Sequence, residues 1–326
     1  MDAIHKWIFI DATQDSSRAV AKPGILIGEY PLVDGVHGVK VSGFTIRDAA
    51  SDETGGDFAG NKYGVGPGGL AGMQIYNSSD NTIEDNLFIN NYWQIWLVAE
   101  WPAAGYTECK NNRIVNNIIQ NSENDGVYLY SDGGVYVEST EIVNNEISNL
   151  YGTSASGVEF WGWPEGGSDP TISGTVISGN HITSCTYGVR IRDDVSDITG
   201  TSVNFNSFIG NTNYGVYNGV ASTIDATCNW WGDVSGPYPT GTGDAVSSYV
   251  DYYPWLLGFA PDAVCYEYYP EGFDDIVACA DGVKNHGQFV SCVTKLTKDW
   301  FTNKKINAEE KRAIINWAAK SDIGKK

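Results

Sequence analysis

Through about residue 258, apolar and polar residues alternate in short runs, and the runs recur as two phrases. The first is an apolar residue, two more residues, an Asn, and then further apolar residues. It reads Ile83-Glu-Asp-Asn86-Leu-Phe88, Ile114-Val-Asn-Asn117-Ile-Ile119, Ile142-Val-Asn-Asn145-Glu-Ile147, Ile177-Ser-Gly-Asn180-His-Ile182 and Val203-Asn-Phe-Asn206-Ser-Phe208. The second is Gly or Gln, apolar, any residue, apolar. It reads Gly72-Met-Gln-Ile75, Gln94-Ile-Trp-Leu97, Gly126-Val-Tyr-Leu129, Gly157-Val-Glu-Phe160, Gly188-Val-Arg-Ile191 and Gly215-Val-Tyr217, at intervals of about 22, 32, 31, 31 and 27 residues. Alternation with period two predicts strands. Self-similarity at this interval predicts a solenoid.

Short strands with Asn and Gly at the bends describe a parallel β-helix. Asn tolerates left-handed backbone angles and satisfies neighbouring peptide groups. Equivalent Asn side chains in stacked coils can also hydrogen-bond along the stack as a ladder. The uneven coil length predicts loops inserted at some corners. The alternation excludes helical repeats, and the missing Leu-x-x-Leu-x-Leu spacing excludes leucine-rich ones. The expected fold class is an all-β solenoid, a parallel β-helix over residues 1–260, followed by a small α-helical C-terminal module over residues 261–326.

The coils resemble the right-handed parallel β-helix repeats of secreted and cell-surface proteins of archaea and bacteria. Cys228-Asn-Trp-Trp-Gly-Asp-Val-Ser-Gly-Pro237, with Val250-Asp-Tyr-Tyr-Pro-Trp-Leu256, is similar to the segment that closes the last coil in such proteins. The resemblance implies a right-handed helix over about residues 30–258 and an exported location. It does not imply one activity, because such repeats occur in lyases, hydrolases, epimerases, adhesins and structural proteins.

The tail changes character. Val283–Asn303 and Asn307–Lys320 read as two helices, the second opened by a capping box of Asn307 and Glu310. Phe289, Val293, Leu296 and Trp300 form one apolar stripe; Ile314, Ile315, Trp317 and Ala318 suggest its partner. His286 to Cys292 and Ala318 to Gly324 resemble a small terminal module of other exported microbial proteins. His286 reads as a turn residue. Cys109, Cys185 and Cys228 read as buried thiols, and Cys279 can bridge to Cys292.

Composition narrows the partners. Forty acidic against 20 basic residues give a net charge of −20, which argues against nucleic acid and anionic membrane. No stretch is apolar enough to span a bilayer. Met1 to Ile10 holds Asp2, His5 and Lys6 and does not read as a signal peptide. The chain enters its coils abruptly at Val39–Ile46, which suggests that a leader and earlier coils fall outside it.

Within each second phrase the residue between apolar positions should face outward. Read from coil to coil, that file is Gln74, Trp96, Tyr128, Glu159, Arg190 and Tyr217; the next is Tyr76, Val98, Tyr130, Trp161 and Arg192. Stacked about 4.8 Å apart, these form an aromatic strip running into a charged patch. Aromatic faces suit a sugar chain, so Tyr76, Trp96, Tyr128, Tyr130, Trp161, Trp163 and Tyr217 are candidates to bind a polysaccharide or other glycan. Inserted loops add Trp101, Tyr106 and Glu165 to the rim. Glu159, Arg190, Arg192, Asp193 and Asp132 are the candidate catalytic set. Glu159 with Asp193 or Asp132 suits a glycoside hydrolase; Arg190 or Arg192 suits a lyase, with Asp193, Asp194 and Asp197 as Ca²⁺ ligands. Arg190-Ile-Arg192 is also similar to a motif of pectin-cleaving β-helices, but their His-containing and paired-Asp motifs are missing. The competing expectation is a non-catalytic surface, matrix or adhesin-like protein that self-assembles, with Glu159–Arg190 a surface ion pair.

Overall fold

The coils share one path, and the coil from Val127 shows its fullest form. The computed structural model describes residues 9–10, 25–28, 37–49, 71–100, 108–164, 169–259, 265, 273–280, 283–306 and 308–320. A long strand, Val127–Asp132, is followed by three short ones, Tyr136–Glu138, Glu141–Val143 and Glu146–Leu150, before the next long strand, Ser156–Trp163. Equivalent strands pair in parallel from coil to coil. They build an eight-stranded sheet of long strands, an eight-stranded and a six-stranded sheet of shorter ones, and a three-stranded sheet. Val127 pairs with Ile95 and Val158, and Val158 with Val189, so the phrase spacing in the sequence is the strand register. Among the described residues one strand, Phe9–Ile10, runs antiparallel to its neighbour, at the edge of the long-strand sheet. The coils form the expected all-β solenoid, a parallel β-helix.

The inward files are apolar and closed. Ile83, Ile114, Ile142, Ile177 and Val203 stack in one sheet, Phe88, Ile119, Ile147, Ile182 and Phe208 in another, all fully buried. The first-phrase Asn sits in the corner between them. Asn86, Asn117, Asn145, Asn180, Asn206 and Asn229 form an unbroken ladder, each Nδ2 donating to the next Oδ1 at 2.9–3.1 Å. Each also donates to a backbone carbonyl of the coil behind it, such as Asn145 to Ile114 at 2.8 Å. The left-handed residue is the one before the ladder Asn. Asp85, Asn116, Asn144, Phe205 and Cys228 have φ of 56–59°. The division of labour is physical: one residue bends the chain while the next turns its amide inward to bond the stack.

The closing segment covers the last coil as the resemblance implied. Trp231 is fully buried and stacks on Phe208 with ring centroids 5.1 Å apart. The Leu256 N–H donates to the Asn229 carbonyl at 2.8 Å, and the Trp255 indole N–H donates to the Val234 carbonyl at 3.1 Å. Cys228 is not a free thiol: it is bonded to Cys265, because its corner leaves it half-buried at the rim. Cys109 and Cys185 are free and buried.

Among the described residues three helices follow: α1 (Phe273–Ala280), α2 (His286–Thr302) and α3 (Ala308–Lys320). Helix α1 escaped the sequence reading because eight residues hold too few turns to show a period. The Cys279–Cys292 bridge ties it to α2. Asn285 caps α2, its side chain accepting from the Gln288 N–H at 3.0 Å. The expected stripe is present: Phe289, Val293 and Trp300 are buried with Thr297, opposite buried Ile314 and Ala318. His286 Nε2 lies 3.1 Å from the Ala319 carbonyl, joining the start of α2 to the end of α3. Asn307 and the side chains of Glu310 and Trp317 lie outside the described residues. Among the described residues no helix is long and apolar enough to cross a membrane.

Candidate functional site

The two outward files lie where alternation puts them. Gln74, Trp96, Tyr128, Glu159, Arg190 and Tyr217 are consecutive register partners across the long-strand sheet. Their exposure differs from expectation. Trp96, Tyr128 and Glu159 are 3 %, 2 % and 3 % exposed, and Tyr76 and Gln74 are as deeply buried. The strip is a second hydrophobic core on the outside of the sheet, and not a solvent-facing platform. Ala71, Tyr76, Trp93, Trp96, Val98 and Tyr128 form it, with Leu26, Tyr92, Tyr130 and Trp161 packed against them.

Part of the covering comes from a third outward file, which period-two reading does not show. The residue before each phrase Gly or Gln also turns outward at the corner, giving Ala71, Trp93, Asp125, Ser156, Tyr187 and Tyr214. Trp93 from this file stacks on Tyr128 at 5.7 Å and 13° and meets Trp96 at 5.2 Å. Rings one coil apart thus cover one another. Burying each contributes about 2–3 kcal/mol, with edge and stacking geometry adding somewhat more.

Toward the C-terminal coils the strip opens. Tyr130, Trp161, Tyr187, Tyr214, Tyr217, Arg190 and Arg192 are half-buried, and Trp163 is 53 % exposed. Arg192 lies 4.5 Å over the Trp161 ring and Arg190 4.8 Å over Tyr187. Trp101, Tyr106 and Glu165 lie outside the described residues.

Beneath this opening sits a charged cluster. Glu159 Oε1 is 3.4 Å from Arg190 Nη1, and Glu159 Oε2 accepts from the Ser156 hydroxyl at 2.6 Å. Because Glu159 is buried, this is no surface ion pair. The Ser156 N–H donates to Asp125 at 2.8 Å, so one residue holds two carboxyl groups. Burial pushes Asp125 up to about 7, against the Ser156 N–H and the charge of Arg190. Burial, reinforced by the charge of Asp125, holds Glu159 well above the usual carboxylate range. Asp125 was missed in the sequence because it precedes the phrase; the third file would have shown it.

The other candidates are dispersed. Asp132 is buried and accepts from the Tyr130 hydroxyl at 2.6 Å. Asp193 is exposed in the turn after Tyr187–Ile191. Asp194 accepts from the Gly162 N–H at 3.0 Å and from Arg192 at 3.1 Å, and Asp197 from the Thr199 N–H at 2.8 Å. Asp194 thus ties its turn to the preceding long strand and to Arg192, and Asp197 braces its own turn. Among the described residues no group of three His, Cys, Asp or Glu side chains is placed to hold a metal ion. Among the described residues, four buried donors of the first file have no hydrogen-bond partner: Gln74 Nε2, Trp96 Nε1, the Tyr128 hydroxyl and Arg190 Nε.

A family model described as a right-handed beta helix region matches residues 32–230. The S-layer protein A of Metallosphaera sedula is 26 % identical over 200 residues, which cover 57 % of this chain and 13 % of that protein. The chain therefore spans only a small part of that relative's length.

Proposed function

Since the chain belongs to the right-handed β-helix family, we propose that it is a non-catalytic structural module of a cell-surface protein. The observation that carries this reading is the packing of the long-strand face. Trp96, Tyr128 and Glu159, central to any groove along the strip, are almost wholly buried. A polymer lying on that face would meet packed rings. Glu159, Asp132 and Asp194 bond Arg190, Ser156, Tyr130 and the Gly162 amide instead of converging on one point. Similarity to part of an S-layer protein supports a surface role, and with it self-assembly. The two disulfides suit an oxidising exterior, and a charge of −20 suits a solvated surface. The test is location. Antibodies against residues 71–259 should label intact cells and follow the envelope fraction; labelling that needs lysis would contradict the proposal.

A glycan-holding role is the second reading, favoured by the half-open rim of Tyr130, Trp161, Trp163, Tyr217, Arg190 and Arg192. It is the better reading if the protein is retained on an immobilised glycan and Trp161→Ala abolishes that retention. Ca²⁺ dependence of retention would revive Asp193, Asp194 and Asp197 as ligands.

A further inference from the structure

The least expected chemistry in the fold is the pair of carboxyl groups tied to Ser156. We propose that Asp125 and Glu159 act together as one proton-holding site, which makes the long-strand face firmer in acid and looser in alkali. The inference does not depend on the function proposed above.

Geometry carries it. Ser156 donates its N–H to Asp125 and its hydroxyl to Glu159, so one residue bridges the two acids. Both are deeply buried. Two carboxylates sharing a buried site cannot both ionise cheaply, since each raises the cost of charging the other. The countercharge is limited. Arg190 and Arg192 are the sole Lys or Arg residues between Arg113 and Lys284. Arg192 is engaged by Asp194 at 3.1 Å, leaving Arg190 as the direct partner of Glu159 at 3.4 Å. Among the described residues, Asp125, Glu159 and Asp194 thus face Arg190 and Arg192, and one shared proton balances them.

The remaining neighbours cannot take that role. From the strand Val127–Asp132, Tyr128 and Tyr130 face the pair; burial and the two acids hold the Tyr128 hydroxyl well above its ordinary range. Behind Asp125, burial pushes the Cys185 thiol up to about 12. The Trp93 indole donates to Asp125 and carries no charge. Over the physiological range the proton therefore resides on Asp125 or Glu159.

The sign follows. Asp125 titrates in the fold at about 7, against 3.8 for its ordinary value. A carboxyl raised in the fold stabilises it fully below its unfolded value, and the contribution is lost as pH rises through the folded one. The Glu159 shift has the same direction.

The experiment is urea unfolding between about pH 5 and pH 8 for the wild type, Asp125→Asn and Glu159→Gln, with calorimetry in buffers of different ionisation enthalpy. The wild-type midpoint should fall as pH rises, and unfolding near neutrality should release about one proton more than in either variant. Infrared spectra of the folded wild type at neutral pH should contain a protonated-carboxyl band that Asp125→Asn or Glu159→Gln weakens. Equal proton release and equal slopes in all three proteins would overturn the proposal. If neither variant folds, absence of that band from the folded wild type at neutral pH would overturn it as well.

Discussion

Asn145 illustrates how the solenoid depends on single carboxamides. It accepts from the Asn117 N–H and side chain, and donates to Ile114, Val143 and Asn180. Asn145→Ala would strand buried donors above and acceptors below, at about 1–3 kcal/mol for each group left unmade. A shift of the urea midpoint equal to that of an exposed-site control would contradict this. Phe205 makes the opposite case. It is 41 % exposed and holds φ of 59°, a conformation that Asn tolerates better than a bulky residue. Phe205→Asn should therefore raise stability, by about 1 kcal/mol, and a loss would mean that ring contacts outweigh backbone strain. Much at this scale was legible: repeated Asn announced a ladder, and alternation placed Trp96, Tyr128 and Glu159 on the outward face. Alternation reports the side of a strand and says nothing of what covers it. That is why a second core was read as an open strip, and why Asp125, in a corner file with no period-two signature, went unseen.

The elements follow from the spacing of phrases, and their closest approach explains the phrase-opening Gly. A Cβ on Gly157 would lie 2.5 Å from the Gly188 carbonyl oxygen and 2.6 Å from Ile182 Cγ2; one on Gly188 would meet the Gly215 carbonyl oxygen at 2.4 Å. At these two positions a bare backbone lets the long strand enter so close to the next coil, whereas the equivalent corner of another coil accommodates Gln94. Gly157→Ala should therefore destabilise by at least about 1–3 kcal/mol, measured by thermal melting, whereas Gly210→Ala, whose Cβ would meet nothing within 4 Å, should cost only its left-handed strain. Equal losses would argue against the coil contact. Strand existence and register were readable because burial imposes one period on every coil. Helix α1 and the Cys228–Cys265 bridge were not, since a short helix and a long-range pairing leave no local pattern.

At the scale of the molecule, the chain is a stack of coils with covered apolar files and an acidic surface, followed by three short helices. Cys228 and Cys265 close a loop with a separation of 37 residues. Losing this bridge alone, in Cys265→Ser, should lower stability by about 3–4 kcal/mol on the loop-entropy account, and full reduction, which also opens Cys279–Cys292, should lower it further. The central claim is that the long-strand face is a packed second core in a non-catalytic surface module. The most direct test incubates the folded chain and Glu159→Gln with neutral and uronate polysaccharides, with and without Ca²⁺, following reducing ends and unsaturated products. The account predicts that neither protein releases products from any polymer. Cleavage by the wild type that disappears in Glu159→Gln would contradict it and make the buried Glu159 a catalytic acid.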